Sequence, residues 1–62
     1  MIWYADDQHP GTQCELRADN TSDVANLPTF AQQEKLKPGS TCLVIGESTV
    51  YMMDSQGNWK EL

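Results

Sequence analysis

Toward the C-terminal end of the chain, short runs of apolar and β-branched residues are separated by clusters of turn formers. Thr41-Cys42-Leu43-Val44-Ile45 is followed by Gly46-Glu47-Ser48, then by Thr49-Val50-Tyr51-Met52-Met53. Asp54-Ser55-Gln56-Gly57 then leads into a final run ending in Trp59 and Leu62. Runs this short are stable only when paired with one another, so the pattern predicts an antiparallel three-stranded meander with strands over residues 41–45, 49–53 and 58–62. Gly46 supplies freedom for positive φ in the first turn. Because side chains alternate across a strand, Val50 and Met52 share one face and Tyr51 and Met53 the other. Both faces therefore carry apolar groups, and a sheet of that kind needs a cover on each side. The N-terminal half of the chain is the expected cover for one face, and a neighbouring subunit for the other.

The same reading extends backwards. Met1-Ile2-Trp3-Tyr4 is a run of β-formers that predicts an edge or docking strand over residues 1–4, followed by a loop through Pro10-Gly11. Thr12 to Arg17 alternates polar and apolar, which places Cys14 and Leu16 on one face of a further strand near 12–17. Ala18-Asp19-Asn20-Thr21-Ser22-Asp23 is a cluster of turn formers. It divides a single domain over residues 1–62 into an N-terminal arm, 1–20, and a β-rich core, 21–62. Pro28 biases Leu27 toward extended backbone. Thr29 to Leu36 predicts at most one short helix near 29–36, with Thr29 as its N-cap and an end forced before Pro38. The fold class is mainly β.

Size and charge narrow what such a domain does. A chain of 62 residues buries only about 60% of the surface its unfolded form exposes, so partner subunits commonly add to its stability. The net charge of −5 works against attraction to phosphate backbones or anionic membranes, which predicts neither nucleic acid nor membrane as partner. No apolar run approaches the roughly 20 residues of a membrane span, and the first residues lack a basic-then-apolar leader pattern. These features predict a soluble product made in the cytoplasm. Cys14 and Cys42 are far apart and match no Cys-x-x-Cys spacing, a pattern that favours reduced thiols over a bridge. Cys42, inside a Leu-Val-Ile run, reads as a small core residue.

Candidate chemistry is sparse. Asp6, Asp7, His9 and Cys14 are the right atom types for a divalent metal, but a structural zinc site wants four nitrogen or sulfur ligands at recognisable spacing. Only His9, Cys14 and Cys42 are of that kind, so a solvated acidic loop is the expected state and no metal or cofactor is predicted. His9 is the sole histidine and would have to serve as base for any serine or cysteine nucleophile, while the serines fall in turns and at strand ends. Gly-x-Ser-x-Gly, phosphate-loop and dinucleotide-loop patterns are absent, which predicts a protein that is not an enzyme. Aromatic side chains carry a stronger signal. Trp59 reads as core, whereas Trp3 and Tyr4 lie in a strand that must dock or fray. The predicted partner-binding residues are Ile2, Trp3, Tyr4, Tyr51 and Met53.

Leu27-Pro28-Thr29, Pro38-Gly39-Ser40-Thr41, Val50-Tyr51-Met52 and the Gly57-Asn58-Trp59 ending together resemble a small module of tailed-phage and prophage structural proteins. Such modules occur in head-decoration, head-fibre and tail-associated components. The resemblance spans residues 27–62, about the C-terminal half, and has no counterpart in the N-terminal arm. It implies a non-enzymatic virion part, made in the host bacterial cytoplasm, that decorates or connects capsid or tail subunits as a homo-oligomer. An alternative from another class is a small acidic phage-encoded regulator that inhibits a host protein. Mimicry of nucleic acid needs carboxylates spaced like phosphates, however, and Arg17, Lys35, Lys37 and Lys60 interrupt the acidic residues. A carbohydrate-binding tip built on the aromatics is a third reading.

Overall fold

A computed structural model describes all 62 residues. Five strands form one mixed sheet in consecutive order: β1 (Ile2–Tyr4), β2 (Glu15–Ala18), β3 (Thr41–Val44), β4 (Thr49–Met53) and β5 (Trp59–Glu61). One helix, α1 (Leu27–Glu34), follows a 3₁₀ segment over Thr21–Asn26. The domain is mainly β with one short helix, and β3, β4 and β5 form the predicted antiparallel meander.

The N-terminal residues belong to this sheet. β1 pairs antiparallel with β2, and β2 pairs parallel with β3 in the register Leu16↔Cys42 and Ala18↔Val44. Parallel neighbours need a crossover of a dozen or more residues, and the segment from Asp19 to Ser40, containing α1, provides it. Residues 1–20 thus supply an edge strand and an interior strand of the core.

The crossover also corrects the expected helix bounds. The helix begins two residues before Thr29: Asn26 is its N-cap, and Leu27 is helical at φ −60° and ψ −45°. Proline is well tolerated in the first helical turn, where its missing N–H has no intrahelical acceptor. The preceding 3₁₀ segment holds Leu27 helical against the extended bias that Pro28 imposes. The helix ends at Glu34, and Lys35 takes the left-handed conformation at φ 57°, donating its N–H to the Ala31 and Gln32 carbonyls. The turn between β3 and β4 is likewise different from expectation. Ile45–Glu47 forms a 3₁₀ turn, so β3 stops at Val44, and Ser48 rather than Gly46 takes positive φ. Gly46 serves another purpose: a Cβ there would lie 2.7 Å from the Asp19 carbonyl oxygen, to which its own N–H donates at 2.8 Å.

One face of the sheet is covered. Leu27 and Ala31, one helical turn apart, pack with Leu16, Ala18, Cys42, Val44 and Met53 in a single core. Ile2, Tyr4, Phe30, Tyr51 and Trp59 close its margin. At its end, the buried Ser40 hydroxyl donates to the Lys37 carbonyl at 2.7 Å and accepts the Cys14 N–H at 3.0 Å, which ties β2 to the segment entering β3.

Candidate functional site

The strand registers assign every sheet residue to a face. Partners directly opposite one another point the same way, so the residues offset by one from the core positions form the opposite face. Trp3↔Arg17, Arg17↔Leu43 and Leu43↔Val50 make one continuous row across four strands. Leu62 extends it, since its N–H donates to the Val50 carbonyl at 2.9 Å. A second row runs Glu15↔Thr41, Thr41↔Met52 and Met52↔Lys60. None of these residues belongs to the core cluster. The helix residues of the core, Leu27 and Ala31, pack on the other side.

The open face is apolar along its centre and charged at defined points. Trp3, Leu43 and Val50 are half-buried by their neighbours, while Met52 is 37% and Leu62 72% exposed. Arg17 and Glu15 lie two residues apart on β2, with guanidinium and carboxylate separated by 4.0 Å, the outer limit of an ion pair. The Arg17 guanidinium makes one hydrogen bond, to the Leu16 carbonyl at 3.1 Å, and its other N–H groups remain free for an acceptor. Lys60 is exposed in the Glu15 row. Glu61, by contrast, shares the covered face with Tyr51.

The expected partner-binding residues divide between the two faces. Trp3 stands on the open one. Ile2, Tyr4, Tyr51 and Met53 stand on the covered one, where Met53 is only 5% exposed and pairs with Trp59 across β4 and β5. Tyr4 meets Phe30 edge-to-face, with ring centroids 5.7 Å apart, and its hydroxyl donates to the Glu34 carboxylate at 2.8 Å. Burial, followed by the Glu34 hydrogen bond, pushes the Tyr4 hydroxyl well above its ordinary titration range. Met53 is thus a core residue, and Tyr4 a clasp between β1 and α1. Arg17, Leu43, Val50, Met52 and Leu62 were not singled out as contact residues by the sequence pattern. Alternation alone separates Val50 and Met52 from Tyr51 and Met53, but which pair meets the helix is settled by the crossover.

The remaining candidate groups do not converge. No three His, Cys, Asp or Glu side chains come together around a space fit for a metal ion. Cys14 and Cys42 are free thiols buried in the core. Burial pushes the Cys42 thiol up to about 11, with the Arg17 charge acting in the opposite direction. The Cys14 thiol donates to the His9 carbonyl at 3.1 Å and so closes the loop between β1 and β2. On the helix side, a groove of about 470 Å³ lies between α1 and the β4–β5 turn, with Pro28, Ala31, Leu36 and Met53 among its walls. It contains no carboxylate, histidine, lysine or cysteine. A smaller groove beside Phe30 includes Asp23, whose carboxylate accepts from the Met1 ammonium at 2.6 Å. That hydrogen bond, the largest influence on Asp23, holds its carboxyl below the usual range.

No family model matches the chain, and no curated protein or solved structure matches it either.

Proposed function

We propose that this chain is a non-enzymatic structural module that works as one subunit among others, with its open sheet face laid on a neighbouring protein. The observation that carries this reading is the row Trp3, Arg17, Leu43, Val50 and Leu62 across the face opposite the core. Antiparallel meanders ordinarily leave polar residues on their solvent side, whereas here Leu43, Val50, Met52 and Leu62 adjoin one another, with Arg17, Glu15 and Lys60 beside them. Trp and Arg together are the residue types that most often dominate binding energy. The resemblance of residues 27–62 to tailed-phage structural modules supports a virion as the assembly, with another of its subunits as the neighbour. The dispersal of titratable groups supports a role without catalysis. A regulator that mimics nucleic acid is a poorer fit, because the open face carries one carboxylate, Glu15, beside two cations, Arg17 and Lys60.

The test is incorporation into particles. Quantitative mass spectrometry of purified virions should find the protein at many copies per particle. Leu43→Glu, which puts a charge at the centre of the row, should lower that copy number at least tenfold while leaving the unfolding midpoint nearly unchanged. Absence of the wild-type protein from particles, or undiminished incorporation of a folded Leu43→Glu variant, would refute the reading.

A further inference from the structure

The charges on the open face specify a partner. Within the strands, this face holds Glu15, Arg17 and Lys60, whereas the whole chain carries −5. It is therefore a part of the surface where two copies can approach without confronting each other's excess acid, and one that carries both signs of charge for a partner to match. Glu15 and Arg17 occupy equivalent points of adjacent rows on the same strand. Their mutual contact, at 4.0 Å, leaves both with unused hydrogen-bonding capacity.

We infer that the open face binds a second copy of this chain, across a two-fold axis perpendicular to the strands and midway between the two rows. This rests on the docking face described above and names its occupant. In that arrangement the row of one copy lies over the other row of its partner. Arg17 then faces the partner's Glu15, and Glu15 the partner's Arg17. Leu43 lies over the partner's Thr41, and Val50 over the partner's Met52. Stacked sheets sit about 10 Å apart, a gap that an arginine and a glutamate span together. The alternative two-fold, parallel to the strands, sets Arg17 against the partner's Val50 and Glu15 against the partner's Met52. It would bury both charges on apolar side chains, which is costly, whereas the first arrangement leaves only the exposed Lys60, over the partner's Leu62, without an opposite charge. The charge positions thus favour the first axis over the second. The face is five strands wide, at about 4.8 Å each, and about four residues long, so it covers roughly 300 Å². That is below the ~800 Å² per partner of a standard interface. The dimer is therefore weak and reversible alone, and gains occupancy where an assembly concentrates its copies.

Sedimentation and NMR diffusion from about 10 μM to about 1 mM, a range that spans weak affinities, read this directly. The wild type should pass from monomer to dimer with concentration, and added salt should shift it back. Glu15→Arg and Arg17→Glu should each associate at least tenfold more weakly. An equimolar mixture of those two variants should regain a heterodimer, because both cross-copy pairs then become complementary. The double variant Glu15→Arg/Arg17→Glu should regain the homodimer, which guards against misfolding of either single. A wild type that stays monomeric at about 1 mM in low salt would overturn the inference, as would single variants that associate normally or a mixture that stays monomeric. Such a result, with Leu43→Glu still lost from particles, would leave the docking reading intact and remove the self-pairing alone. Dimerisation together with undiminished incorporation of Leu43→Glu would do the reverse.

Discussion

Tyr4 joins the edge strand to the helix through one ring contact and one hydrogen bond, so it concentrates a testable share of the stability of β1. Its hydroxyl is raised from the ordinary value of 10.0 by burial first and by the Glu34 carboxylate second. An acid raised on folding contributes stability that is complete below its unfolded value and is lost as pH climbs toward the folded one. Urea midpoints should therefore fall from about pH 9, where the raised Cys42 thiol begins to count, and more steeply above about pH 10, where Tyr4 adds its share. Tyr4→Phe should remove the steeper part of that decline, leaving the Cys42 part, and cost about 1 kcal/mol at neutral pH through loss of the bond to Glu34. In phenolate absorbance, Tyr4 should resist ionisation until the chain unfolds. Ionisation of Tyr4 near pH 10 in the folded chain, or an unchanged profile in Tyr4→Phe, would contradict the clasp. The sequence placed Tyr4 in a strand that docks, but its partners Phe30 and Glu34 lie 26 and 30 residues away. No local pattern announces them.

Helix α1 and the β3–β4 turn show where local rules hold and where packing overrides them. The helix had to end before Pro38, and it does. Its end is marked by Lys35 in a left-handed conformation that glycine adopts at far lower cost. Lys35→Gly should therefore raise stability by about 1 kcal/mol in thermal unfolding; a loss would show that the lysine side chain contributes more than its backbone strain. Gly46 behaves in the opposite sense. Its added Cβ would press on backbone at Asp19, which has no flexible side chain to yield. Gly46→Ala should cost about 1–3 kcal/mol, with altered amide shifts at the ends of β2 and β3. The meander was readable because hairpin pairing depends on turns and alternation only a few residues apart. The start of the helix was not, because the 3₁₀ segment before it acts against the ordinary preference of a residue preceding proline.

The whole molecule depends on a core shared by the sheet and one short helix. Leu16, fully buried on an interior strand, is its most demanding position. Leu16→Ala should cost about 2–5 kcal/mol, comparable to the total that a domain of this size holds. The variant should lose its cooperative unfolding transition at 25 °C, and retention of a midpoint near that of wild type would contradict the central place of β2. Along the chain, residue order and local pattern determine the strands, the turns that separate them, and the presence of apolar groups on both sides of the sheet. All of this follows from the two-residue period and from turn chemistry within a few positions. Residue order leaves open which side of β4 is the inside. That choice comes from the crossover: once α1 brings β2 alongside β3, Leu27 and Ala31 cover Cys42, Val44 and Met53. Trp3, Arg17, Leu43, Val50 and Leu62 then remain together on the other side. A one-residue change of register reverses the faces of a strand, and the contact that sets the register joins segments more than twenty residues apart. The open row is therefore a property of the packed molecule.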